Sequence, residues 1–243
     1  MDEQRDLDGL SALVTGATSG IGRAAAEELG RHGAEVVVHG RDDRTAAVVD
    51  AITADGGKAR LVTADVTDPA DLDDLARQAD QVDVLVNNAG VGWFGPTAEL
   101  DRATFGQLFA VNVRAPYVLV AALAPKMAAR GGGSIINIGS MAGHVGMPGG
   151  AAYGGTKGAL AAMTRSWAAE YSPAGVRVNT VASGPVYTNI QPPETTDAVG
   201  ATTIMARAAQ PEEIANVIVF LASPKASYIT GAVIAADGGR MAI

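Results

Sequence analysis

The chain has 243 residues, of which 48% are hydrophobic and 18% charged, so it can bury a large core and is not a disordered protein. It contains no cysteine, which excludes disulfide bonds, thiolate metal sites and a cysteine nucleophile, and we predict no metal site. Its formal net charge of -8 disfavours nucleic acid and anionic membrane surfaces as partners.

Short apolar runs rich in β-branched residues alternate with longer segments of helical period along the chain. The predicted strands cover residues 12–15, 35–39, 59–63, 82–87, 134–138, 176–181 and 231–235. The predicted helices cover residues 20–32, 43–55, 69–80, 101–130, 151–171 and 211–222. This alternation predicts a doubly wound parallel sheet of seven strands with helices on both faces. Because no linker or repeat divides the sequence, we expect one α/β domain over residues 1–243.

Residues 184–210 interrupt the alternation between the sixth strand and the last helix. The segment contains three prolines and is longer than an ordinary strand-to-helix connection. Loops of this length in compact domains are usually functional, so we expect a substrate-binding loop or lid. A disordered surface insertion is the alternative.

The first residues lack the basic and apolar regions of a signal peptide. The longest uncharged stretch, residues 131–156, is broken by glycines and a proline, unlike a membrane span. We therefore expect a cytoplasmic protein.

The first strand runs into a glycine-rich turn, Thr15-Gly-Ala-Thr-Ser-Gly-Ile-Gly22, which opens a helix. Glycines at 16, 20 and 22 let the backbone approach a pyrophosphate closely. The free N–H groups and the positive dipole end of the helix then favour phosphate. This position in the chain predicts a dinucleotide site.

The end of the second strand distinguishes NAD from NADP. An acidic residue usually accepts a hydrogen bond from the ribose 2′-hydroxyl of NAD there. Here the strand ends in Gly40 and Arg41, and a guanidinium suits a 2′-phosphate. We predict that NADP(H) is preferred and that NAD(H) is possible, with pairing of Arg41 to a nearby aspartate as the alternative. Asp65 is a candidate acceptor for the adenine amine, or else a turn cap.

Polar residues follow the fourth and fifth strands, where ligands of parallel sheets lie. Asn87 begins the run Asn-Asn-Ala-Gly, and Ser140 ends the fifth strand. Tyr153 and Lys157, four residues apart, share one face of the next helix.

These motifs, in this order and at these spacings, resemble the short-chain dehydrogenase/reductase family over essentially the whole chain. The resemblance implies a Rossmann-type fold, a homotetramer, and catalytic roles for Asn112, Ser140, Tyr153 and Lys157. The expected cofactor contacts are Gly16, Thr18, Ser19, Gly20, Ile21, Gly22, Arg41, Asp65, Val66, Asn87, Ala89, Gly90, Tyr153, Lys157, Val186 and Thr188. One departure is Ser183, where the family commonly has proline.

The expected chemistry is hydride transfer between nicotinamide and a ketone or secondary alcohol. Tyr153 would be the general acid/base, and the Lys157 ammonium would lower its pKa from about 10 toward the working range. Ser140 would hold the substrate oxygen, and Asn112 would fix a water that connects Lys157 to solvent. As the resemblance implies, Lys157 also holds the nicotinamide ribose.

The substrate is expected to be a small carbonyl compound or alcohol in an apolar pocket. The predicted pocket residues are Trp93, Met141, Val145, Met147 and Tyr187. Two alternatives stay open at this point. One is an enzyme similar to the 3-oxoacyl-(acyl-carrier-protein) reductases, and the other is a cofactor-binding sensor without catalysis.

Overall fold

Seven parallel strands form one sheet in the computed structural model, which describes residues 5–243. The strands are β1 (Ser11–Val14), β2 (Glu35–Gly40), β3 (Lys58–Thr63), β4 (Val84–Asn87), β5 (Gly133–Ser140), β6 (Val176–Ser183) and β7 (Val233–Ala236). Their order across the sheet is β3-β2-β1-β4-β5-β6-β7. All neighbouring pairs are parallel, and helices cover both faces. The predicted Rossmann-type fold with seven parallel strands is therefore confirmed.

Eight α-helices in the described range connect or flank these strands. They are α1 (Gly20–Arg31), α2 (Arg44–Ala54), α3 (Pro69–Gln78), α4 (Arg102–Phe109), α5 (Ala115–Ala129), α6 (Ala151–Tyr171), α7 (Pro193–Gly200) and α8 (Pro211–Ala222).

The helix predicted over residues 101–130 is interrupted. A π-helical segment, Ala110–Arg114, joins α4 to α5. Its wider backbone hydrogen-bonding pattern reshapes the helix locally, and such segments are frequent at functional sites. Asn112 lies within it and is buried.

The helix starts are set by short polar side chains that the sequence places just before them. The Asp68 carboxylate accepts hydrogen bonds from two backbone N–H groups in the first turn of α3, and Asp101 does the same for α4. Each carboxylate satisfies N–H groups that the helix itself leaves free. At α8, Gln210 and Glu213 form a capping box.

The sheet separates two apolar cores because successive strand residues point to opposite faces. Val14 packs with α1, α2 and α8, whereas the preceding Leu13 packs with α3, α5 and α6. Leu29 and Ile218 fill the first core. Leu119 is fully buried in the second.

The strand order reverses between β1 and β4. The chain first builds outward through β2 and β3 and then returns to pair β4 with the other edge of β1. A crevice opens outside the carboxyl ends of the strands at such a reversal. The fold therefore positions the ends of β1, β2, β4, β5 and β6 around one cleft.

One helical stretch, Arg102–Ala129, is long and apolar enough by length and composition to cross a membrane. Half of its most apolar window, 50%, is buried inside the protein. It packs against α3 and α6, which is how a core helix of a globular fold behaves.

Residues 184–210 contain α7 and are fastened at several points. Val186 pairs with Ala209 in a short parallel bridge. The Tyr187 hydroxyl donates to the Asp197 carboxylate on α7. Arg207 donates two hydrogen bonds of 2.7 Å to Glu213 on α8. These hydrogen bonds therefore hold residues 184–210 in place beside the carboxyl end of β6.

Candidate active site

The turn between β1 and α1 brings backbone into very close contact with its neighbours. Gly16 has a φ of 63°. A Cβ on Gly22 would lie 2.2 Å from Asn88 Nδ2 and 2.4 Å from the Gly16 carbonyl oxygen. Only glycine fits such a place. The turn leaves the first N–H groups of α1 facing the cleft, so a dinucleotide pyrophosphate fits there.

The same turn is bonded to the end of β4. The Thr15 hydroxyl accepts hydrogen bonds of 3.0 Å from the N–H groups of Asn88 and Ala89. The Asn88 amide donates to the carbonyl oxygens of Thr15 and Gly16 at 2.9 and 3.0 Å. Thr15 and Asn88, which sequence reasoning did not single out, therefore set the geometry of the turn. The signal for Asn88 was its place next to Asn87 in the same motif.

His39, at the end of β2, is a third group that fixes the turn. Its Nδ1 accepts from the Gly16 N–H at 3.2 Å, its Nε2 lies 3.1 Å from the Ala64 carbonyl oxygen, and its own carbonyl accepts from the Ala17 N–H. Burial lowers the pKa of the imidazole, and Arg41 acts in the same direction. The Ala64 bond and Asp65 oppose the shift. The ring is thus neutral, with its proton on Nε2.

A cleft of about 340 Å³ follows the turn along the sheet edge. Most of the predicted cofactor residues line it: Gly16, Thr18, Ser19, Gly20, Ile21, Arg41, Asp65, Val66, Ala89, Gly90, Tyr153, Lys157 and Thr188. Gly22 lies behind the turn, within α1.

Two other predicted cofactor residues also lie outside this cleft. Val186 borders a neighbouring cavity. Asn87 is buried, and its amide donates to the Asn137 side chain at 2.8 Å. The strand alternation turns Asn87 into the protein, so Asn88 occupies the cleft wall in its place.

Arg41 is exposed at the cleft rim and makes no hydrogen bond or salt bridge within residues 5–243. Its acidic neighbour Asp42 is occupied by Arg44, whose guanidinium donates at 2.8 and 2.7 Å. That pair holds the pKa of Asp42 at about 2. The guanidinium of Arg41 is therefore available to an anion.

Position 40 has no room for a side chain. A Cβ there would lie 2.4 Å from Thr18 Cγ2 and 2.6 Å from Thr45 Oγ1. An acidic side chain that would accept from a ribose 2′-hydroxyl cannot be placed at the end of this strand without moving both threonines.

Asp65 serves as a turn cap and also lines the cleft. One carboxylate oxygen accepts from the Thr67 N–H and hydroxyl, both at 2.8 Å, and these bonds lower the pKa of Asp65. The two interpretations offered by the sequence are therefore compatible.

Ser140 and Tyr153 meet at the end of the cleft nearest β5. The Tyr153 hydroxyl lies near the Ser140 side chain, which acts to lower the pKa of the phenol. Ser140 also caps the short turn at Met141–Gly143 by accepting from the Ala142 N–H at 3.2 Å. This turn contacts α6 so closely that a Cβ on Gly154 would lie 2.4 Å from the Ala142 carbonyl oxygen. The contact fixes Tyr153 opposite Ser140.

Burial dominates the ionisation of the Tyr153–Lys157 pair. It raises the pKa of the Tyr153 phenol, although the nearby Ser140 side chain acts in the opposite direction. It lowers the pKa of the Lys157 ammonium to about 8. The sequence predicts a lowered tyrosine pKa. In the chain by itself the phenol instead holds its proton more tightly, because its apolar surroundings disfavour the phenolate. The Phe94 ring is part of these surroundings, with its centre 5.2 Å from the centre of the Tyr153 ring.

The Lys157 ammonium donates to the Ile138 carbonyl oxygen of β5 at 2.8 Å and lies 5.7 Å from the centre of the Tyr153 ring. A Cβ on Gly90 would lie 3.6 Å from it, so Gly90 leaves the ammonium open to the cleft. Its position suits a ligand hydroxyl at the nicotinamide end.

The Asn112 side chain is fully engaged with its own protein. Its Oδ1 accepts from the Val91 N–H at 2.9 Å, and its Nδ2 donates to the Val91 carbonyl and the Thr156 hydroxyl. Asn112 therefore connects the π-helical segment, the loop after β4 and the helix that carries Tyr153 and Lys157.

A second cavity of about 80 Å³ adjoins the cleft at Tyr153. Of the predicted pocket residues, Met141 and Met147 line it. Trp93 instead lines a separate cavity against α4, and Val145 borders neither cavity. Tyr187 is not part of this wall, and its hydroxyl is bonded to Asp197 on α7. Ile190, Gln191 and Val199, which sequence reasoning missed, complete the wall from residues 184–210.

This chain is similar to known proteins over nearly its full length. A family model described as enoyl-(acyl carrier protein) reductase matches residues 16–240. A solved structure titled "short chain dehydrogenase/reductase family protein" is 49% identical, covers 98% of this chain and 100% of its own, and superposes with a TM-score of 0.90. The chain belongs to the short-chain dehydrogenase/reductase family.

Members of the family with named activities are also similar. Galactitol 2-dehydrogenase (L-tagatose-forming) of Cereibacter sphaeroides is 41% identical, with 96% of this chain and 95% of that protein covered. A structure of a putative NAD(P)-dependent gluconate 5-dehydrogenase from Beutenbergia cavernae with bound NADP is 38% identical, covers 99% and 100% of the two chains, and has a TM-score of 0.94. This short-chain dehydrogenase/reductase is thus an oxidoreductase for alcohols or ketones.

The lowered pKa of His39 predicts an acid-sensitive fold. The unfolded chain binds a proton at this ring near pH 6.5, the ordinary value, whereas the folded chain binds it only at lower pH. Stability therefore falls as the pH drops below 6.5 toward the folded-state pKa. We expect the melting temperature to decrease more between pH 7.5 and 5.5 in the wild type than in His39→Asn.

Asparagine is the matched variant, because its side-chain oxygen can accept from the Gly16 N–H but does not titrate. The measurement is thermal unfolding by circular dichroism across this pH range, with His144→Asn, an exposed loop position, as the control. Equal acid sensitivity of the wild type and His39→Asn would contradict the assignment.

Proposed function

We propose that this protein is an NADP(H)-dependent oxidoreductase that transfers a hydride between nicotinamide and a small ketone or secondary alcohol. The observation that carries the proposal is the contact of Ser140 with Tyr153, beside the buried Lys157, where the long cleft meets the second cavity. A proton donor and an orienting hydroxyl are what carbonyl reduction needs next to a hydride source.

The residues present fit the dinucleotide. The glycine turn and the N-terminus of α1 would hold the pyrophosphate, Asp65 the adenine, and Lys157 the nicotinamide ribose. Val186 and Thr188, at the nicotinamide end, remain the proposed contacts to the carboxamide. When bound, the cofactor supplies or accepts the hydride.

Tyr153 and Ser140 have different roles at the substrate oxygen. The Ser140 hydroxyl orients the oxygen, and Tyr153 donates its proton as the carbonyl becomes an alcohol. The raised pKa of Tyr153 keeps the phenol protonated and suited to donate. For alcohol oxidation the phenol must act as a base, and the positive charge of Lys157, largely present at neutral pH with a pKa of about 8, favours the phenolate.

Proton exchange with solvent completes the mechanism that we propose. Because Nδ2 of Asn112 already donates to Val91 and Thr156, a relay water held by this side chain would have to share its Oδ1 with the Val91 N–H. The side chain then positions the helix that carries Lys157.

The preference for NADP(H) rests on Arg41. It lies free at the cleft rim of the described chain, whereas Asp42 is neutralised by Arg44. Position 40 excludes the acid that would favour NAD(H). A guanidinium also matches the geometry of a phosphate.

A sensor that only binds the cofactor would not turn over a substrate. Measurable turnover therefore distinguishes the proposed enzyme from that alternative. The alternative of an acyl-carrier-protein substrate has less support, since a basic docking surface is expected for an acidic partner. Arg130, a basic residue that follows the end of α5, donates to the Asp80 and Val82 carbonyls and so offers little to such a partner.

Removing the phenol should abolish turnover. We expect Tyr153→Phe to lower kcat for ketone reduction by about a thousandfold, as loss of a general acid does. NADPH affinity should change by less than about threefold, because the ring remains. The measurement is steady-state NADPH oxidation together with a fluorescence titration, and Tyr228→Phe, fully exposed, is the matched control. Full activity in Tyr153→Phe would refute the assignment.

Arg41→Ala should weaken NADPH binding by about 10- to 100-fold, the size expected for a charge-assisted bidentate interaction. NADH binding should change by less than about twofold, because NADH has no 2′-phosphate. Titration of both cofactors tests this, with Arg60→Ala, which donates to the Gln78 carbonyl away from the cleft, as control. An equal effect on both cofactors would remove Arg41 as the phosphate ligand.

We also propose a homotetramer, which needs two separate interfaces. Phe105 and Tyr117 expose 45% and 54% of their surface beside α5. Phe220 of α8 exposes 42% of its surface on the other face of the sheet. Sedimentation velocity should give a tetramer for the wild type and dimers for Tyr117→Glu or Phe220→Glu. A monomeric wild type at micromolar concentration would contradict it.

A further inference from the structure

Ser183 ends β6 directly beside Ser140 of β5. The two residues are partners in the parallel register of these strands. Residues in register point to the same side of a sheet, and adjacent strands are about 4.8 Å apart. The side chains of Ser140 and Ser183 therefore lie next to one another at the sheet edge, and Tyr153 is also near Ser140.

The Ser183 hydroxyl has unused hydrogen-bonding capacity. The side chain is buried, and within the described chain its hydroxyl contacts the Gly139 carbonyl oxygen at 3.4 Å. Hydroxyl hydrogen bonds are normally about 2.5–3.0 Å long, and buried hydroxyls are normally satisfied. A serine can donate one hydrogen bond and accept two, so a ligand oxygen has partners here.

Ser183 borders both spaces of the active site. Ser183 lines the long cleft and also the smaller cavity that Ser140 and Tyr153 border. Most of the other walls of the smaller cavity are apolar, including Phe94 and Met147. Ser140, Tyr153 and Ser183 thus all border this cavity and all carry hydroxyl groups, although orienting and protonating the reacting oxygen requires only the first two of them.

We propose that Ser183 is a specificity-determining residue that binds a second oxygen, on the carbon next to the reacting carbon. With the reacting oxygen at Ser140 and Tyr153, an oxygen on the adjacent carbon directed toward β6 reaches Ser183. The enzyme then favours α-hydroxy ketones and vicinal diols over plain ketones and alcohols. The inference rests on the proposed function and specifies its substrate class.

The test compares two ketones that differ in one oxygen, 2-butanone and 1-hydroxy-2-butanone. The kcat/KM of NADPH-dependent reduction is measured for the wild type and Ser183→Ala. We expect Ser183→Ala to lower kcat/KM for the hydroxy ketone by about tenfold, the effect of one lost hydrogen bond. The value for 2-butanone should stay within about twofold of the wild type, and NADPH affinity should not change.

Two further variants keep the comparison decisive. Ser183→Cys preserves volume but is a weak donor, so it should reproduce the selective loss if the alanine variant proves unstable. Ser172→Ala removes a hydroxyl just before the opposite end of β6, where it donates to Val176, and should leave both ketones unaffected.

The outcomes distinguish a failure of the role proposed for Ser183 from a failure of the proposed function. A selective loss for the hydroxy ketone supports the role of Ser183. An equal loss for both ketones, or a weaker NADPH affinity, would mean that Ser183 acts on the cofactor or the fold and would overturn the inference while leaving the proposed function intact. A wild type that reduces neither ketone would overturn both.

Discussion

The buried ammonium of Lys157 is the constraint around which the site is organised. Removing a charge from water is costly, and the lowered pKa of about 8 records that cost. The Ile138 carbonyl at the end of β5 compensates part of it, and Gly90 leaves the remaining side open to the cleft. The ends of two strands and the start of α6 must therefore meet around one atom, and the same meeting sets Tyr153 against Ser140.

Most of the fold follows from the order of apolar runs. The strand at 231–235 and the helix at 151–171 are found within a residue or two of their predicted limits. The interruption of the 101–130 helix was not predicted, because its cause is tertiary. Asn112 exchanges two hydrogen bonds with the loop after β4, which lies next to it only in the folded chain.

In the site too, the residues that a local sequence pattern marks could be predicted, and those whose roles depend on tertiary contacts could not. The glycine turn, Ser140 and the Tyr153–Lys157 pair are recognisable from spacing, since they lie on single elements. His39 is not, because its role depends on Gly16 and Ala64, which are 23 and 25 residues away. Tyr187 has an aromatic ring suited to a pocket, yet its hydroxyl is bound by Asp197 on α7.

The two threonines that enclose Gly40 constrain which side chains the end of β2 can accept. Thr18 belongs to the glycine turn, and Thr45 belongs to the first turn of α2, so the space above position 40 is bounded by two different segments. Replacement of Gly40 by aspartate alone produces a clash before it produces a new ligand. The side chains at positions 18 and 45 therefore limit what position 40 accepts. An aspartate at position 40 fits only where the side chains of Thr18 and Thr45 move aside, so the packing of two separate segments bears on any substitution at the end of β2.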